Sequence, residues 1–182
     1  LRELGVKPES VSHCADSEAG LAAELKKATE DADIIVTTGG VSVGKKDILH
    51  GALEILGAEK IFWRIRLQPG TPTIFSVYGK TLILSLSGNP FGAMANLELL
   101  LRPALEAMTG DPAFAMEMRR GIMEVDFEKR CKVRRFVRAV YTNGKVSFPQ
   151  GIFSSRGCNC LLDIPAGREN VKAGEQVAVW ML

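Results

Sequence analysis

The chain has 182 residues, of which 46% are hydrophobic and 24% are charged, and these proportions are ordinary for a globular protein. The formal net charge of +2 is too small to favour a nucleic acid or a membrane surface as a partner. No apolar run is long enough for a transmembrane helix and no signal peptide is visible, so we expect a cytoplasmic protein. The spacing of Cys158 and Cys160 is not that of a metal knuckle. Reduced thiols are expected, with a disulfide or metal site as the alternative, for the four cysteines: Cys14, Cys131, Cys158 and Cys160.

The chain starts at Leu1, without Met, inside an amphipathic pattern that ends at Gly5, a residue typical of a helix C-cap. We therefore expect the chain to open on the last turn of a helix and to belong to a longer protein. A weak strand is predicted at residues 10–14. Asp16 can accept a hydrogen bond from a free N–H group, and it predicts the start of a helix at about residues 17–31.

The most informative stretch follows at residues 33–47. Its β-branched start predicts a strand buried on both faces, and the chain continues into a loop with Gly39, Gly40 and Gly44. Glycines let the backbone adopt a positive φ and let a ligand approach closely, and consecutive N–H groups in such a loop can bind an anion. Open α/β sheets bind ligands at loops that leave the carboxyl ends of strands. A tight strand-to-helix turn without a ligand is the alternative.

Helices and strands continue to alternate after this loop. A helix is predicted at residues 47–56, and a longer helix is predicted over about residues 91–108. Pro103 lies inside the longer pattern and should kink or divide that helix. Strands are predicted at residues 60–66, 73–77 and 81–86, with turns at residues 68–72 and 78–80.

A second strand-to-helix crossing lies at residues 87–90, with the sequence Ser-Gly-Asn-Pro. Pro90 suits the first helical position, where its missing N–H needs no partner. Both crossings should place free N–H groups and the positive end of a helix at a strand's carboxyl end, which is a suitable site for phosphate. The chain has neither G-x-G-x-x-G nor a Walker lysine motif, so a standard dinucleotide or P-loop site is disfavoured.

The character of the sequence changes after Thr-Gly-Asp-Pro at residues 109–112, where we place a domain boundary. Residues 1–110 are predicted to form an α/β domain with a mostly parallel sheet flanked by helices. Residues 111–182 are predicted to form a small all-β, barrel-like domain, because alternating residues and glycine turns are typical of short strands. Antiparallel strands are expected within residues 117–147, with a hairpin turn at residues 142–145, and further strands at residues 161–164 and 176–181.

Charged and titratable residues add candidates for ligand binding. Asp16 and Asp47 follow predicted strands at the same expected sheet edge, and carboxylates beside a phosphate site imply a hard cation, above all Mg²⁺. A helix cap at Asp16 and a helix-dipole partner at Asp47 are the alternatives. His13 and His50 have no ligand partners at suitable spacing and are expected to be structural. Arginines of the second domain form either an oxyanion-binding patch or a solvated strand face: Arg134, Arg135 and Arg138.

Three motifs occur in order along the chain: Thr-Thr-Gly-Gly-Val-Ser-Val-Gly-x-x-Asp at residues 37–47, Pro-Gly-x-Pro at residues 69–72 and Ser-Gly-Asn-Pro at residues 87–90. In order and spacing they resemble the molybdopterin molybdotransferase family, which includes bacterial molybdenum insertases, the plant insertase domain and the gephyrin E domain. Residues 150–155 and 174–175 resemble the C-terminal β domain of that family, so the resemblance covers the whole chain. It implies that two N-terminal domains and the first strand of the molybdopterin-binding domain precede this stretch.

The resemblance implies a role in molybdenum cofactor biosynthesis and a homodimeric protein. Members of the family take adenylylated molybdopterin and molybdate, release AMP in a Mg²⁺-dependent step and yield the cofactor. By position, Asp47 matches an acidic residue that binds the metal and takes part in catalysis, and Asp16 matches a second acidic residue less closely. The positions that match pterin, phosphate or oxyanion contacts are Gly39, Gly40, Ser42, Gly44, Gly70, Ser87, Gly88, Asn89, Pro90, Arg138, and Ser154 or Ser155.

The chain departs from the family at three of these motif positions. Gln68 and Thr71 stand where many members have the lysines of Lys-Pro-Gly-Lys-Pro, and Ser87 stands where many have proline. Losing two lysines beside an anion removes charge-assisted contacts of about 1.5–3 kcal/mol each. A non-catalytic molybdopterin-binding or scaffolding module is therefore the alternative function. A stand-alone molybdopterin adenylyltransferase is disfavoured, because that class lacks a β domain such as the one predicted after Asp111.

Overall fold

The computed structural model describes residues 5–14, 17–41, 48–149 and 157–182, and the chain divides into two compact units. Unit 1 comprises Leu1–Ile65 and Gly70–Leu97, and unit 2 comprises Arg66–Pro69 and Glu98–Leu182. The helical residues from Glu98 onward thus group with the strands that follow them, whereas the sequence places its boundary after residue 110. The division into domains at that boundary stays a prediction.

Unit 1 alternates helices and strands. Its elements are α1 (Glu18–Ala28), β1 (Ile34–Thr38), α2 (Ile48–Leu56), β2 (Glu59–Trp63), β4 (Ile74–Tyr78), β5 (Thr81–Leu86) and α3 (Pro90–Asn96). Helix α1 begins as predicted, because the Ser17 hydroxyl accepts a hydrogen bond of 3.0 Å from the Gly20 N–H. The strand predicted at residues 10–14 is wrong, since these residues adopt no regular structure.

The four strands described in unit 1 form a mixed sheet in the order β1-β5-β4-β2. Only β1 and β5 are parallel, and β5 with β4 and β4 with β2 are antiparallel. The prediction of a mostly parallel sheet is therefore wrong for the described strands. The reason is local: Gly79, with φ 58°, lies in a tight turn between β4 and β5, and so short a connection can only join antiparallel strands. Strand β2 ends at Trp63, before the predicted end at residue 66, because Arg64 adopts a φ of 65°.

The core of unit 1 lies between the sheet and helices α1 and α2. Leu25 of α1 and Leu49 and Leu53 of α2 are buried against Ile74 and Ile83 of the sheet. Each of these side chains is at most 3% exposed, which accounts for the helical spacing of the apolar residues in the sequence. The loops at the carboxyl ends of β1 and β5 therefore start from a sheet that packs against this core.

The long predicted helix is divided, as Pro103 led us to expect. Helix α3 is followed by a π-helical segment at Leu97–Leu101 and then by α4 (Arg102–Thr109). Pro103 has no N–H to donate to the carbonyl four residues earlier, and its ring crowds that carbonyl, so the helix widens just before it. Gly110, with φ 69°, ends α4 and is followed by a short 3₁₀ turn at Pro112–Phe114.

Unit 2 contains a closed barrel. Its strands are β3 (Leu67–Gln68), β6 (Met118–Met123), β7 (Arg134–Thr142), β8 (Lys145–Ser147), β9 (Cys160–Ile164) and β10 (Gln176–Met181). The order is β3-β7-β8-β6-β10-β9, and β9 also pairs with β7, which closes the ring. The hairpin turn predicted at residues 142–145 is confirmed, because Asn143 and Gly144 adopt φ values of 51° and 80° between β7 and β8. Within residues 117–147, β7 and β8 are antiparallel as expected, but β6 pairs with β8 in the parallel direction.

Candidate functional site

The two glycine-containing loops lie side by side in unit 1. Thr38 of β1 is in register with Leu86 of the parallel strand β5, and the Gly39 N–H donates to the Leu86 carbonyl at 3.0 Å. A Cβ placed on Gly88 would lie 3.7 Å from the Gly39 Cα atom. Gly39 and Gly40 adopt φ values of 90° and 67°, which favour glycine. The sheet thus brings both predicted phosphate loops to one edge, as far as their residues are described.

The second loop uses several of its own polar groups internally. The Ser87 hydroxyl accepts from the Asn89 N–H at 3.0 Å, and the Asn89 side chain accepts from the Gly92 N–H at 2.9 Å. Asn89 is therefore the N-cap of α3, with Pro90 at the first helical position as predicted. These two N–H groups already donate to side chains of the loop itself. The prediction from the sequence therefore assumed more free donors for a ligand than this loop has.

Two hydroxyl groups lie immediately before the loops. Thr37 of β1 and Ser85 of β5 are in register on the parallel pair, so their side chains share one face of the sheet. Their hydroxyl oxygens are buried, and among the described residues neither has a hydrogen-bond partner. Unpaired buried hydroxyls are uncommon in proteins. The sheet edge below the loops is therefore polar and incompletely satisfied.

A third motif lies close to helix α3. The Gly70 carbonyl accepts from the Asn96 side chain at 2.9 Å and from the Thr73 hydroxyl at 2.8 Å. Gly70 itself has a φ of 97°. The sequence analysis selected Gly70 but missed Asn96 and Thr73. A polar amide at Asn96, inside an otherwise apolar helical pattern, was the sequence feature that could have indicated a buried hydrogen bond there.

Several predicted site residues lie outside the described part of the chain. These are Asp16, Ser42, Gly44, Asp47 and Ser155, together with Ser154. Within residues 5–14, 17–41, 48–149 and 157–182, no group of three or more His, Cys, Asp or Glu side chains is arranged to hold a metal ion. The magnesium site predicted at Asp47 and Asp16 therefore stays a prediction.

The arginines of β7 differ in their surroundings. Arg134 donates to both carboxylate oxygens of Asp163, at 2.8 and 2.5 Å, and this hydrogen-bonded pair raises the pKa of the guanidinium. Arg135 donates to the Gln68 side chain at 2.6 Å. Arg138, the predicted oxyanion contact, is half-buried on the same strand. Arg134 and Arg135 are thus engaged with protein partners, which favours a structural role for these two.

Unit 2 also contains a cavity of about 550 Å³, a size typical of small-molecule sites. Its wall is mainly apolar, with side chains from α4 and from the barrel. Among the described candidate residues, Arg134 alone lines this cavity. The principal lining residues are Leu99, Leu100, Pro103, Met116, Phe136 and Trp180.

His50 and the buried cysteines are packed among other side chains of the protein. The His50 ring packs edge-on against Trp63, with 4.6 Å between ring centroids. All the cysteines are free thiols, with Cys131 and Cys160 buried in the barrel. In the described part of the chain, no helix is both long enough and apolar enough to cross a bilayer.

Comparison with known proteins supports the reading of the motifs. Residues 1–107 match a family model described as a probable molybdopterin binding domain, and residues 120–182 match the MoeA C-terminal region, domain IV. The chain is 32% identical over 165 residues to the molybdopterin molybdenumtransferase of Staphylococcus aureus strain COL, and 29% identical over 189 residues to that of Bacillus subtilis strain 168. These matches cover 85% and 99% of this chain but only 39% and 44% of the relatives, so the chain spans less than half of their length.

Solved structures share the fold. A molybdenum cofactor biosynthesis protein from Pyrococcus furiosus superposes with a TM-score of 0.71 at 24% identity, covering 93% of this chain and 56% of that one. A molybdopterin biosynthesis MoeA protein from Pyrococcus horikosii superposes with a TM-score of 0.76 at 22% identity, covering 92% of this chain and 42% of that one. Because the model of the probable molybdopterin binding domain spans more than half of the residues, the chain belongs to that family, and in its sequence this domain is followed by a MoeA C-terminal region.

Proposed function

We propose that this chain is the part of a molybdenum insertase that binds adenylylated molybdopterin and transfers molybdate to it, with release of AMP. The observation that carries the proposal is the pairing of the Gly39–Gly40 loop with the Ser87–Pro90 loop at the carboxyl ends of two parallel strands. That edge is where α/β sheets bind phosphorylated ligands. The family membership supports the pterin as the ligand, since the curated relatives are named molybdopterin molybdenumtransferases.

In this proposal, different residues of unit 1 contact different parts of the substrate. The backbone at Gly39 and Gly40, where no Cβ blocks approach, contacts the phosphate of the pterin. The neighbouring Gly88 lets the second loop lie close to the first. The turn at Gly70 faces the anionic end of the substrate. For unit 2 the proposal rests on the family resemblance alone, which assigns Arg138 and Ser155 to contacts with an oxyanion.

Magnesium fits the chemistry of the two acidic residues assigned to it. Carboxylate oxygens are the ligands that Mg²⁺ takes from proteins, usually one or two of them together with substrate phosphate oxygens. Asp47, directly after the glycine loop, and Asp16 would hold the ion. A bound Mg²⁺ would neutralise the charge that develops on the pyrophosphate during cleavage. We further propose that the active form is a cytoplasmic homodimer.

The first test is Asp47→Asn in the full-length protein. The amide keeps the shape and hydrogen-bonding capacity of Asp47 but removes its negative charge. We expect molybdopterin binding to stay largely intact, Mg²⁺ binding measured by calorimetry to weaken, and AMP release to fall strongly. Folding stability should change by no more than about 1 kcal/mol, the usual size of a charge effect at a helix N-terminus.

The outcome separates this proposal from its alternative. A variant that releases AMP at the parental rate with Mg²⁺ limiting would show that Asp47 is only a helix-end residue. A non-catalytic binding module is favoured by one observation, the replacement of two basic residues by Gln68 and Thr71. In that case the parental protein binds molybdopterin but releases no AMP.

A further inference from the structure

Asn96 connects helix α3 to the turn at Gly70. Both hydrogens of its side-chain amide are used, because Nδ2 donates to the Gly70 carbonyl at 2.9 Å and to the Thr73 hydroxyl at 2.6 Å. The Thr73 hydroxyl in turn donates to the same Gly70 carbonyl at 2.8 Å. These three groups form a closed ring of hydrogen bonds, here called the Asn96 network. Asn96 and Thr73 are both completely buried, so water does not compete for these bonds.

The backbone around the network leaves no room for side chains at two glycines. A Cβ placed on Gly70 would lie 2.4 Å from the Asn96 amide nitrogen. A Cβ placed on Gly92, one helical turn before Asn96, would lie 3.2 Å from the Gly70 nitrogen. Helix and turn are therefore in direct contact on the helix face that carries both residues.

The same helix also carries the second loop. Gly92 donates its N–H to the Asn89 side chain, which caps α3. One face of α3 thus contacts the turn at Gly70 through Gly92 and Asn96, and its first turn anchors the loop at Ser87–Pro90. Helix α3 therefore contacts both motifs.

We propose that Asn96, acting with Thr73, is a positioning residue that sets the conformation of the Gly70 turn and so the affinity for the anion that this turn faces. This inference rests on the proposed function for the identity of that anion, molybdate. The network holds the turn with neutral hydrogen bonds in a chain where Thr71 stands in place of a lysine. The Oδ1 atom of Asn96 has no donor among the described residues, so the side chain contributes through its amide hydrogens.

The test compares two buried threonines of unit 1. Thr73→Val removes two hydrogen bonds of the network, the one that its hydroxyl donates to the Gly70 carbonyl and the one that it accepts from Asn96. Thr81→Val removes one buried hydrogen bond elsewhere, which the Thr81 hydroxyl donates to the Ala32 carbonyl at 2.8 Å. Both threonines are at most 1% exposed, so the same hydroxyl-to-methyl change is made at two equally buried positions. Asn96→Leu removes both amide donors and serves as a second variant, which tests the network from the helix side.

The first readout is hydrogen exchange in the full-length protein, and it does not depend on activity. The N–H groups of Arg64 and Ile65 donate to the carbonyls of Thr73 and Thr71, so they report on the turn. In Thr73→Val these amides should exchange about tenfold to thirtyfold faster, the factor expected for two lost hydrogen bonds, and in Thr81→Val they should not change. The second readout is kinetic. Thr73→Val should raise KM for molybdate by about fivefold to tenfold with kcat changed less than about twofold, and Thr81→Val should leave both unchanged.

Each result decides one of the claims. Equal exchange at Arg64 and Ile65 in the two variants overturns the inference, because the network then does not control the turn. Faster exchange without a change in KM in an active protein overturns the positioning role and leaves the proposed function standing. A parental protein that inserts no molybdate overturns the proposed function, and the positioning role with it, even when exchange separates the variants.

Discussion

Burial decides the chemistry of Cys160. The residue begins strand β9 with its side chain fully buried in the barrel core. Burial raises the pKa of its thiol to about 12, and the neighbouring Cys158 adds to the rise. The thiol therefore stays protonated in the folded chain at neutral pH, which agrees with a structural role for this cysteine.

This raised pKa predicts a loss of stability at high pH. Above its ordinary pKa of 9.0 the Cys160 thiol ionises in the unfolded chain, while the folded chain keeps its proton until about pH 12. The unfolded chain then binds fewer protons, so the free energy of unfolding falls as pH rises, by at most about 1.4 kcal/mol per pH unit from this group. Denaturant unfolding of unit 2 can be followed by Trp180 fluorescence in a Trp63→Phe background between pH 8.5 and 10.5. Cys160→Ala should make the decline with pH shallower, and an identical slope in both proteins would contradict the prediction.

Three strands of the barrel meet at Asp163. Its carboxylate accepts both hydrogen bonds from Arg134 of β7 and a third, at 3.1 Å, from the indole N–H of Trp180 on β10. The Asp163 side chain is 8% exposed, whereas that of Arg134 is 52% exposed. The Arg134 guanidinium also lies 5.3 Å from the centre of the Phe136 ring. The carboxylate thus joins β7, β9 and β10 at the point where the barrel closes.

Removing this charge should destabilise the barrel. Asp163→Asn keeps the volume but leaves the Arg134 guanidinium without its ion pair, and an amide cannot accept both of its hydrogen bonds. We expect a loss of about 2–3 kcal/mol in the free energy of unfolding of unit 2, at the low end for a buried pair because Arg134 is half-exposed. Glu117→Gln is the matched control, since it breaks an exposed pair with Arg119 and should leave stability unchanged. Equal stability of Asp163→Asn and the parental chain would show that the pair contributes no net stability.

At the scale of the whole molecule, the candidate ligand edge belongs to unit 1 and the barrel to unit 2. The glycine loops depend on the register of β1 with β5. The barrel has its own buried core, which includes Met123, Val146 and Leu162. An anion that binds the glycine loops should therefore change the dynamics of unit 1 selectively.

Inorganic pyrophosphate provides that test on the full-length protein with Mg²⁺ present. Anion binding should slow hydrogen exchange in peptides that cover residues 37–49 and 86–92, because exchange requires opening of the bound loops. Peptides within the barrel strands at residues 118–123 and 176–181 should exchange at the same rate with and without the anion. Sodium sulfate at equal ionic strength controls for screening. Protection confined to the barrel peptides would place the anion site elsewhere.

Much of the local structure could be predicted from the sequence. Gly57, Gly110 and the Asn143-Gly144 pair all adopt positive φ where the sequence placed helix ends and a hairpin turn. These positions are set by the backbone conformations that single residues allow, so neighbouring residues suffice to identify them. The family motifs could also be identified from neighbouring residues, because each motif is a short continuous stretch of the chain.

Only the tertiary structure showed which residues from distant parts of the sequence contact each other. The parallel pairing of β1 with β5 places Gly39 beside Gly88, whereas the tight turn after β4 makes the neighbouring pair antiparallel. Asn96 and Gly70 are 26 residues apart, and no pattern in the sequence predicts their hydrogen bond. Whether a loop N–H is free or already bonded, as at Asn89 and Gly92, depends on side-chain geometry in the folded chain. The residue types of the candidate site were therefore determined by the sequence, but their contacts arise from long-range packing that short-range periodicity does not encode.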